Sequence, residues 1–164
     1  MRRWQTLFAV VPLIAMLGMP ASAAVTVTFV HPELFTDADD TSGNSARTLL
    51  EIAGYLKALG NRYLAVDDTL KIEILDIDLA GEIRLSRMGT DARYCTGEAD
   101  WPRIDVRYAL VAKDGIARSG EETIVDRFYL RRLRESHPPV SLPYEKRMLD
   151  EWFRKRFVDE RPAP

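Results

Sequence analysis

Residues 70–79 read Leu70-Lys71-Ile72-Glu73-Ile74-Leu75-Asp76-Ile77-Asp78-Leu79, a strand whose apolar pattern changes phase halfway along. Leu70, Ile72 and Ile74 fall on one face of an extended chain and Leu75, Ile77 and Leu79 on the other, because strand side chains alternate. Two arrangements satisfy this pattern. Either the strand is covered on both faces, or a bulge at Ile74-Leu75 resets the alternation. The bulge leaves Lys71, Glu73, Asp76 and Asp78 facing water and buries no charge, so it is the less costly solution. It places Leu75, Ile77 and Leu79 together in the core of a sheet with one wet face.

Upstream, Val25-Thr26-Val27-Thr28-Phe29-Val30 has the β-branched and aromatic composition of a strand, ended by His31-Pro32. A polar loop over residues 36–44 leads into a helix starting near Asn44 or Ser45. Leu49, Ile52, Leu56 and Leu59 recur there at helical spacing, and Gly60-Asn61 reads as the stop. Downstream, residues 80–103 show no sustained period, which is unusual in a compact domain. Ile104, Val106, Tyr108 and Leu110 then alternate with polar residues as a half-buried strand. Lys113-Asp114-Gly115 is a hairpin turn, and a partner strand follows over Ile116 to Val125. After the break at Ser136-His137-Pro138-Pro139, a helix is expected from Pro143 to Arg156, with Met148, Leu149, Trp152 and Phe153 as its stripe and Phe157 beyond. The expected fold is α+β: a mostly antiparallel sheet of about four strands with two helices packed on it, in the order β-α-β-β-β-α. The alternative is a two-layer α/β fold with one parallel crossover made by the first strand, first helix and second strand.

The chain opens Met1-Arg2-Arg3-Trp4, continues through the apolar run Leu7 to Leu17, and reaches Ala21-Ser22-Ala23. A basic start, a short apolar core and an A-x-A site form a secretory signal, and Gly18 and Pro20 interrupt the run before the roughly 20 apolar residues of a membrane span. The expected organisation is a signal peptide over 1–23 and one exported domain over 24–164, periplasmic and with no membrane span after cleavage. Net charge is −2 for the whole chain, which argues against a dedicated nucleic-acid binder. Residues 31–101 hold 14 acids against 7 bases, while 127–156 hold 9 bases against 4 acids, so one basic patch is expected. The single cysteine, Cys95, cannot form an internal disulfide. It is a free thiol or an intermolecular bridge.

Four groups of residues carry candidate chemistry. Asp76, Asp78 and Glu82 form an acidic cluster, and two carboxyls on one strand face can approach the spacing used by retaining glycosidases. An acid/base pair, however, needs one carboxyl in an apolar pocket, and a solvated strand end turning at Gly81 accounts for the same residues. The run Asp37-Ala38-Asp39-Asp40 fails the calcium-loop pattern, with Ser42 where glycine and Thr48 where glutamate are needed; it reads as an acidic loop capping the first helix. Cys95 could be activated only by His31 or His137, both beside prolines. Two histidines and one cysteine are too few for a usual zinc site. Arg127, Arg131, Arg132 and Arg134 are either a solvated strand end or an anion or partner site. Neither a glycine-rich phosphate loop nor a G-x-S-x-G elbow is present.

Five stretches together resemble the domain-of-unknown-function 3016 family of exported proteobacterial proteins: Val27-Thr28-Phe29-Val30, Pro32-Glu33-Leu34-Phe35-Thr36-Asp37, Asp76-Ile77-Asp78-Leu79-Ala80-Gly81, Asp100-Trp101-Pro102-Arg103-Ile104 and Tyr144-Glu145-Lys146-Arg147-Met148-Leu149. The resemblance implies an uncharacterised exported protein and no site residues. The expectation is thus a non-catalytic periplasmic module that binds a protein partner or envelope component, without catalytic residues, metal or cofactor. The alternatives are a small hydrolase using Asp76, Asp78 and Glu82, and a redox-sensitive dimer through Cys95.

Export is directly checkable. The protein recovered from a periplasmic fraction should begin at Ala24 by N-terminal mass analysis, and an intact Met1 terminus in membrane pellets would defeat the signal reading.

Overall fold

The computed structural model describes residues 23–85, 89–132 and 141–159; the N-terminal segment expected to be a signal peptide, up to residue 22, and the break at Ser136-His137-Pro138-Pro139 lie outside those ranges. Strand β2, Thr69–Asp78, pairs antiparallel with β5, Arg103–Val111. The register runs evenly from Thr69↔Val111 to Ile74↔Val106, then steps to Asp76↔Asp105. One residue, Leu75, is left over. The phase change is therefore a bulge, and it allows Ile74 and Ile77 both to be fully buried although they are three residues apart. Leu75 itself departs from the expectation: it is only half-buried. The extra residue of a bulge has no cross-strand partner, so it does not share the packing of Ile77 and Leu79.

The main sheet has the order β1-β2-β5-β6. Strand β1, Ala24–Phe29, lies parallel to β2, and helix α1, Ser45–Tyr63, makes the crossover between them. Strand β6, Ala117–Val125, returns antiparallel to β5 across a turn closed by the Gly115 N–H on the Ala112 carbonyl (2.9 Å). The main-sheet elements follow the expected order β-α-β-β-β-α, ending in α2, Pro143–Arg154. The parallel crossover of the α/β alternative is present, but only as one of three pairings in a mostly antiparallel α+β sheet. Between β2 and β5 the chain forms a separate ribbon, β3 (Glu82–Leu85) against β4 (Asp91–Tyr94). Four-residue strands with mostly exposed side chains carry too little alternation to show as a period in the sequence.

Both helices pack on one sheet face. Ile52, Leu56 and Leu59 of α1 and Met148, Leu149 and Phe153 of α2 cover Leu70, Ile72, Ile74, Ile104, Val106 and Leu110. Asn44 caps α1 by accepting the Ala46 N–H at 3.0 Å. The helix does not stop at Gly60-Asn61 but runs on to Tyr63. Gly60 serves a different purpose: a Cβ there would lie 2.1 Å from Val25 Cγ2, so glycine lets the helix backbone rest directly on β1. After α2, a π-helical turn, Lys155–Asp159, brings Phe157 against Tyr108 (5.3 Å between centroids), Trp152 (5.3 Å) and Phe153 (4.8 Å), all edge-on, the favoured geometry for ring pairs. Helix and sheet are thereby closed by an aromatic cluster at the β5 side.

The bulge separates two neighbouring leucine-type positions. Ile77→Ala should destabilise the protein by about 2–5 kcal/mol in denaturant unfolding. Leu75→Ala should cost less than about 2 kcal/mol because it is only partly buried and lacks a cross-strand partner. Equal losses would show that Leu75 is packed in the core and that the register step lies elsewhere.

Candidate functional site

The acids singled out in the sequence lie on the sheet face opposite the helices. Asp76 is not a free carboxylate there. Its oxygens accept the Thr36 N–H (2.7 Å), the Thr36 hydroxyl (2.8 Å) and Arg103 Nη2 (2.6 Å). Arg103 also holds Asp105 at 2.9 Å, and its Nε stands 3.9 Å from Asp78. One row further along the sheet, Arg107 bridges Glu73 (2.8 Å) and Glu121 (2.9 Å). The bulge thus turns Asp76 and Asp78 outward, but into rows of ion pairs rather than into bulk water. Burial, more than any neighbouring charge, raises the Asp78 carboxyl above its ordinary value. Glu82 does not join them. It sits exposed on β3, paired with Arg84 at 2.7 Å. The three-acid hydrolase constellation is not assembled, because the chain turns at Gly81 into the separate ribbon.

That turn gathers hydrogen bonds from several elements. The Ala80 N–H donates to Glu145 Oε1 (2.9 Å) at the start of α2. The Gly81 N–H donates to the Asp100 carbonyl (2.9 Å). Arg93, from β4, donates to the Gly81 carbonyl (2.8 Å) and forks onto both oxygens of Asp37 (2.8 and 3.1 Å). Cys95 Sγ stands 3.7 Å from the Ala80 carbonyl. Gly81 has φ +77°, and a Cβ there would meet the Tyr94 carbonyl oxygen at 2.4 Å, so no other residue fits. Asp100 is held in turn by Thr96, Gly97 and the Tyr129 hydroxyl (2.9 Å). Burial works to raise the Asp100 carboxyl, yet these hydrogen bonds leave it below its ordinary value.

Cys95 is half-buried in this setting. Burial pushes its thiol up from the ordinary value, and the neighbouring groups are the Tyr129 and Tyr144 hydroxyls, Asp100, Glu145 and Arg93. None of them is a histidine. His31 is exposed at the end of β1 with Glu33 as its ring partner (3.3 Å), and His137 lies outside the described residues. A thiol with a raised pKa offers little thiolate for nucleophilic attack. In the acidic loop, Asp37 is taken by Arg93, and Asp40 accepts the Ser42 and Asn44 N–H groups, so these carboxylates shape the approach to α1. Among the described residues no group of three histidine, cysteine or acidic side chains is placed to hold a metal.

A groove of about 460 Å3 opens elsewhere, between β6 and α2. It is lined by residues Glu122 through Phe128 on one side and by Met148, Glu151, Trp152, Lys155 and Arg156 on the other. Its inner wall is fixed by Glu122, which accepts Trp152 Nε1 (3.1 Å) and the Tyr108 hydroxyl (3.0 Å) and pairs with Arg156 (2.8 Å). Asp126 is held by Arg147 at 2.7 Å. The arginine run noted in the sequence borders this region. Arg127 stands over the Trp101 ring and Arg131 over Phe128, 5.4 and 5.3 Å from the centroids. The Arg132 side chain and Arg134 fall outside the described residues. Sequence reasoning found the arginines and missed the groove, since its two walls are separated by some 20 residues of chain and meet only in the folded sheet. It also missed Glu145 and Arg93. An acid in the first turn of a helix is ordinary, and nothing in the sequence says that this one is 2% exposed.

The buried Glu145 carboxyl yields a pH test. Burial raises it above its usual 4.5, so its favourable contribution is complete below about 4.5 and is lost as pH rises through the folded-state value. Glu145→Gln keeps an acceptor for the Ala80 N–H without a charge. At pH 7 the variant should unfold at higher denaturant concentration than the wild type, and the difference should shrink as pH is lowered toward 4.5. A variant less stable at pH 7 would show that the carboxylate is fully compensated by Arg93.

No curated protein matches the chain. Among solved structures, a minor lipoprotein from Acinetobacter baumannii aligns over 84% of this chain and 90% of that one, at 10% identity and a TM-score of 0.19, a likeness too faint to bear on fold or function. No described helix is long and apolar enough to cross a membrane. The family model described as "Protein of unknown function (DUF3016)" matches residues 23–155, a span that includes every strand, both helices, the bonded turn at Gly81 and nearly all of the groove, and the chain belongs to that family.

Proposed function

We propose that this protein is a non-catalytic module of the periplasm that binds a protein partner or another envelope component. One observation carries the reading. Of the acids that could have served a hydrolase, Asp76 is held by Arg103 on an open sheet face, Asp78 lies beside it on that face, and Glu82 sits on a separate ribbon paired with Arg84, while the groove beside β6 is lined by other residues. Catalysis by a carboxyl pair needs one acid desolvated beside a pocket and its partner kept ionised; burial raises Asp78 and Arg103 holds Asp76, but neither lines the groove. Periplasmic location is supported by the basic start, short apolar core and Ala21-Ser22-Ala23 site of the leader, and by a family match that begins at residue 23. The groove offers shape, exposed apolar surface at Phe128 and cations, which are the means of recognition rather than of bond cleavage.

The test pairs binding with activity. Cross-linking in the periplasm followed by mass spectrometry should recover the same envelope component with wild type and with the Asp76→Asn/Asp78→Asn double variant, at yields within about two-fold. A glycoside, ester or phosphoester hydrolysis by the purified protein that falls at least about 100-fold in the double variant would replace this reading with the hydrolase.

A further inference from the structure

Resting on the binding-module reading, we infer that the groove along β6 is a strand-addition site, which takes an extended acidic segment of a partner protein as a fifth strand of the main sheet.

The first argument is which residues line it. Successive strand residues point to opposite faces, so a depression on either face would be lined by every second residue. This groove is lined by Glu122, Thr123, Ile124 and Val125 of β6 without a gap, and by Asp126 and Arg127 just beyond its end. Only the edge of the strand presents all of them. Among the described residues β6 has β5 on one side and no strand on the other.

The second argument is the direction of the backbone groups. The Asp126 N–H donates to the Pro102 carbonyl, just before β5, at 3.3 Å. In an antiparallel pair the N–H and C=O groups of alternate residues point to the same side. Asp126 and Ile124 therefore face β5, and the amides of Thr123 and Val125 face the groove. These are the groups that a peptide strand pairs with in β-augmentation.

The third argument is the chemistry beside the edge. Met148 and Trp152 of α2, both buried, line the groove on its core side, where an added strand would rest alternate apolar side chains. The groove's carboxylates are engaged: Glu122 by Arg156, Asp126 by Arg147, and Glu151 by contacts of its own. Its cations are not all spent. Arg127 is exposed over Trp101, and Lys155 has no carboxylate partner among the described residues. The surplus is positive, so the complementary segment carries acids that can reach Arg127 and Lys155. A second copy's β6 would bring Glu121 and Glu122 but also Arg118, a poorer match.

The experiment uses an acetylated, amidated octapeptide alternating valine and glutamate, with its valine–lysine counterpart as control, titrated at low ionic strength into isotopically labelled protein. Expected are saturable amide shifts confined to residues 122–128 and 148–156, slowed hydrogen exchange at Thr123 and Val125, and at least about ten-fold weaker binding of the lysine peptide. Thr123→Pro removes an outward donor while leaving pairing to β5 intact, and should abolish binding with the remaining spectrum unchanged. Lys155→Glu should weaken it several-fold and serves if the proline variant does not fold. The proposal is overturned by no binding at millimolar peptide, by shifts elsewhere, by equal binding of both peptides, or by protection of the β6 edge in a concentration-dependent dimer without peptide. Undiminished capture of the cross-linked envelope component by Thr123→Pro would also overturn it while leaving the binding-module reading standing. Failure of the cross-linking with both proteins would instead count against that reading.

Discussion

The fold depends on the two peptide units of Ala80 and Gly81. At this point the last residues of the central strand leave the sheet, and three separate parts of the chain meet their backbone groups. Glu145 receives the Ala80 N–H, the Asp100 carbonyl receives the Gly81 N–H, Arg93 reaches the Gly81 carbonyl, and the Cys95 thiol faces the Ala80 carbonyl. A buried backbone group left without a partner would cost about as much as a lost hydrogen bond. Satisfying these groups from α2, β4 and the 95–100 loop therefore ties those segments to the sheet at one place. Glycine at position 81 is what permits the crowding, since its positive φ and missing side chain leave room for Tyr94 and Cys95.

From this constraint follows the division of labour between the two faces of the sheet. The helix face is closed by aliphatic packing and the aromatic cluster around Phe157. The opposite face is closed by charge, in rows that each place an arginine between carboxylates: Asp76, Arg103 and Asp105 in one, Glu73, Arg107 and Glu121 in the next. Exposed pairs of this kind add little stability individually, of order 0–1 kcal/mol. Their effect is on identity: alternating signs keep an uncovered sheet face polar. The edge of β6, which has no strand beside it among the described residues, is the contrasting surface, lined by apolar and cationic side chains.

How much of this was legible in the sequence differs from residue to residue. The α+β class, both helices and the β5–β6 hairpin follow from periodicity and turn chemistry, because helix and strand periods are local properties. The phase change in residues 70–79 located the bulge for the same reason. The acid cluster was visible, but its meaning was not. Asp76 and Glu82 are six residues apart in the chain, yet one ends up under Arg103 and the other on a separate ribbon. That separation is decided by the turn at Gly81, whose geometry depends on Tyr94, Cys95 and Asp100.

The sequence alone determined which segments alternate and which are helical. Tertiary structure alone decided that Glu145 is buried beneath Ala80, that Gly60 is a contact point and not a helix stop, and that exposed Arg127, just past the end of β6, borders a groove. The physical reason is the range of the interactions concerned. Periodicity and capping act over a few residues and leave their mark in local order, whereas burial, ion pairing and the exposure of a strand edge depend on segments brought together only when the chain has folded.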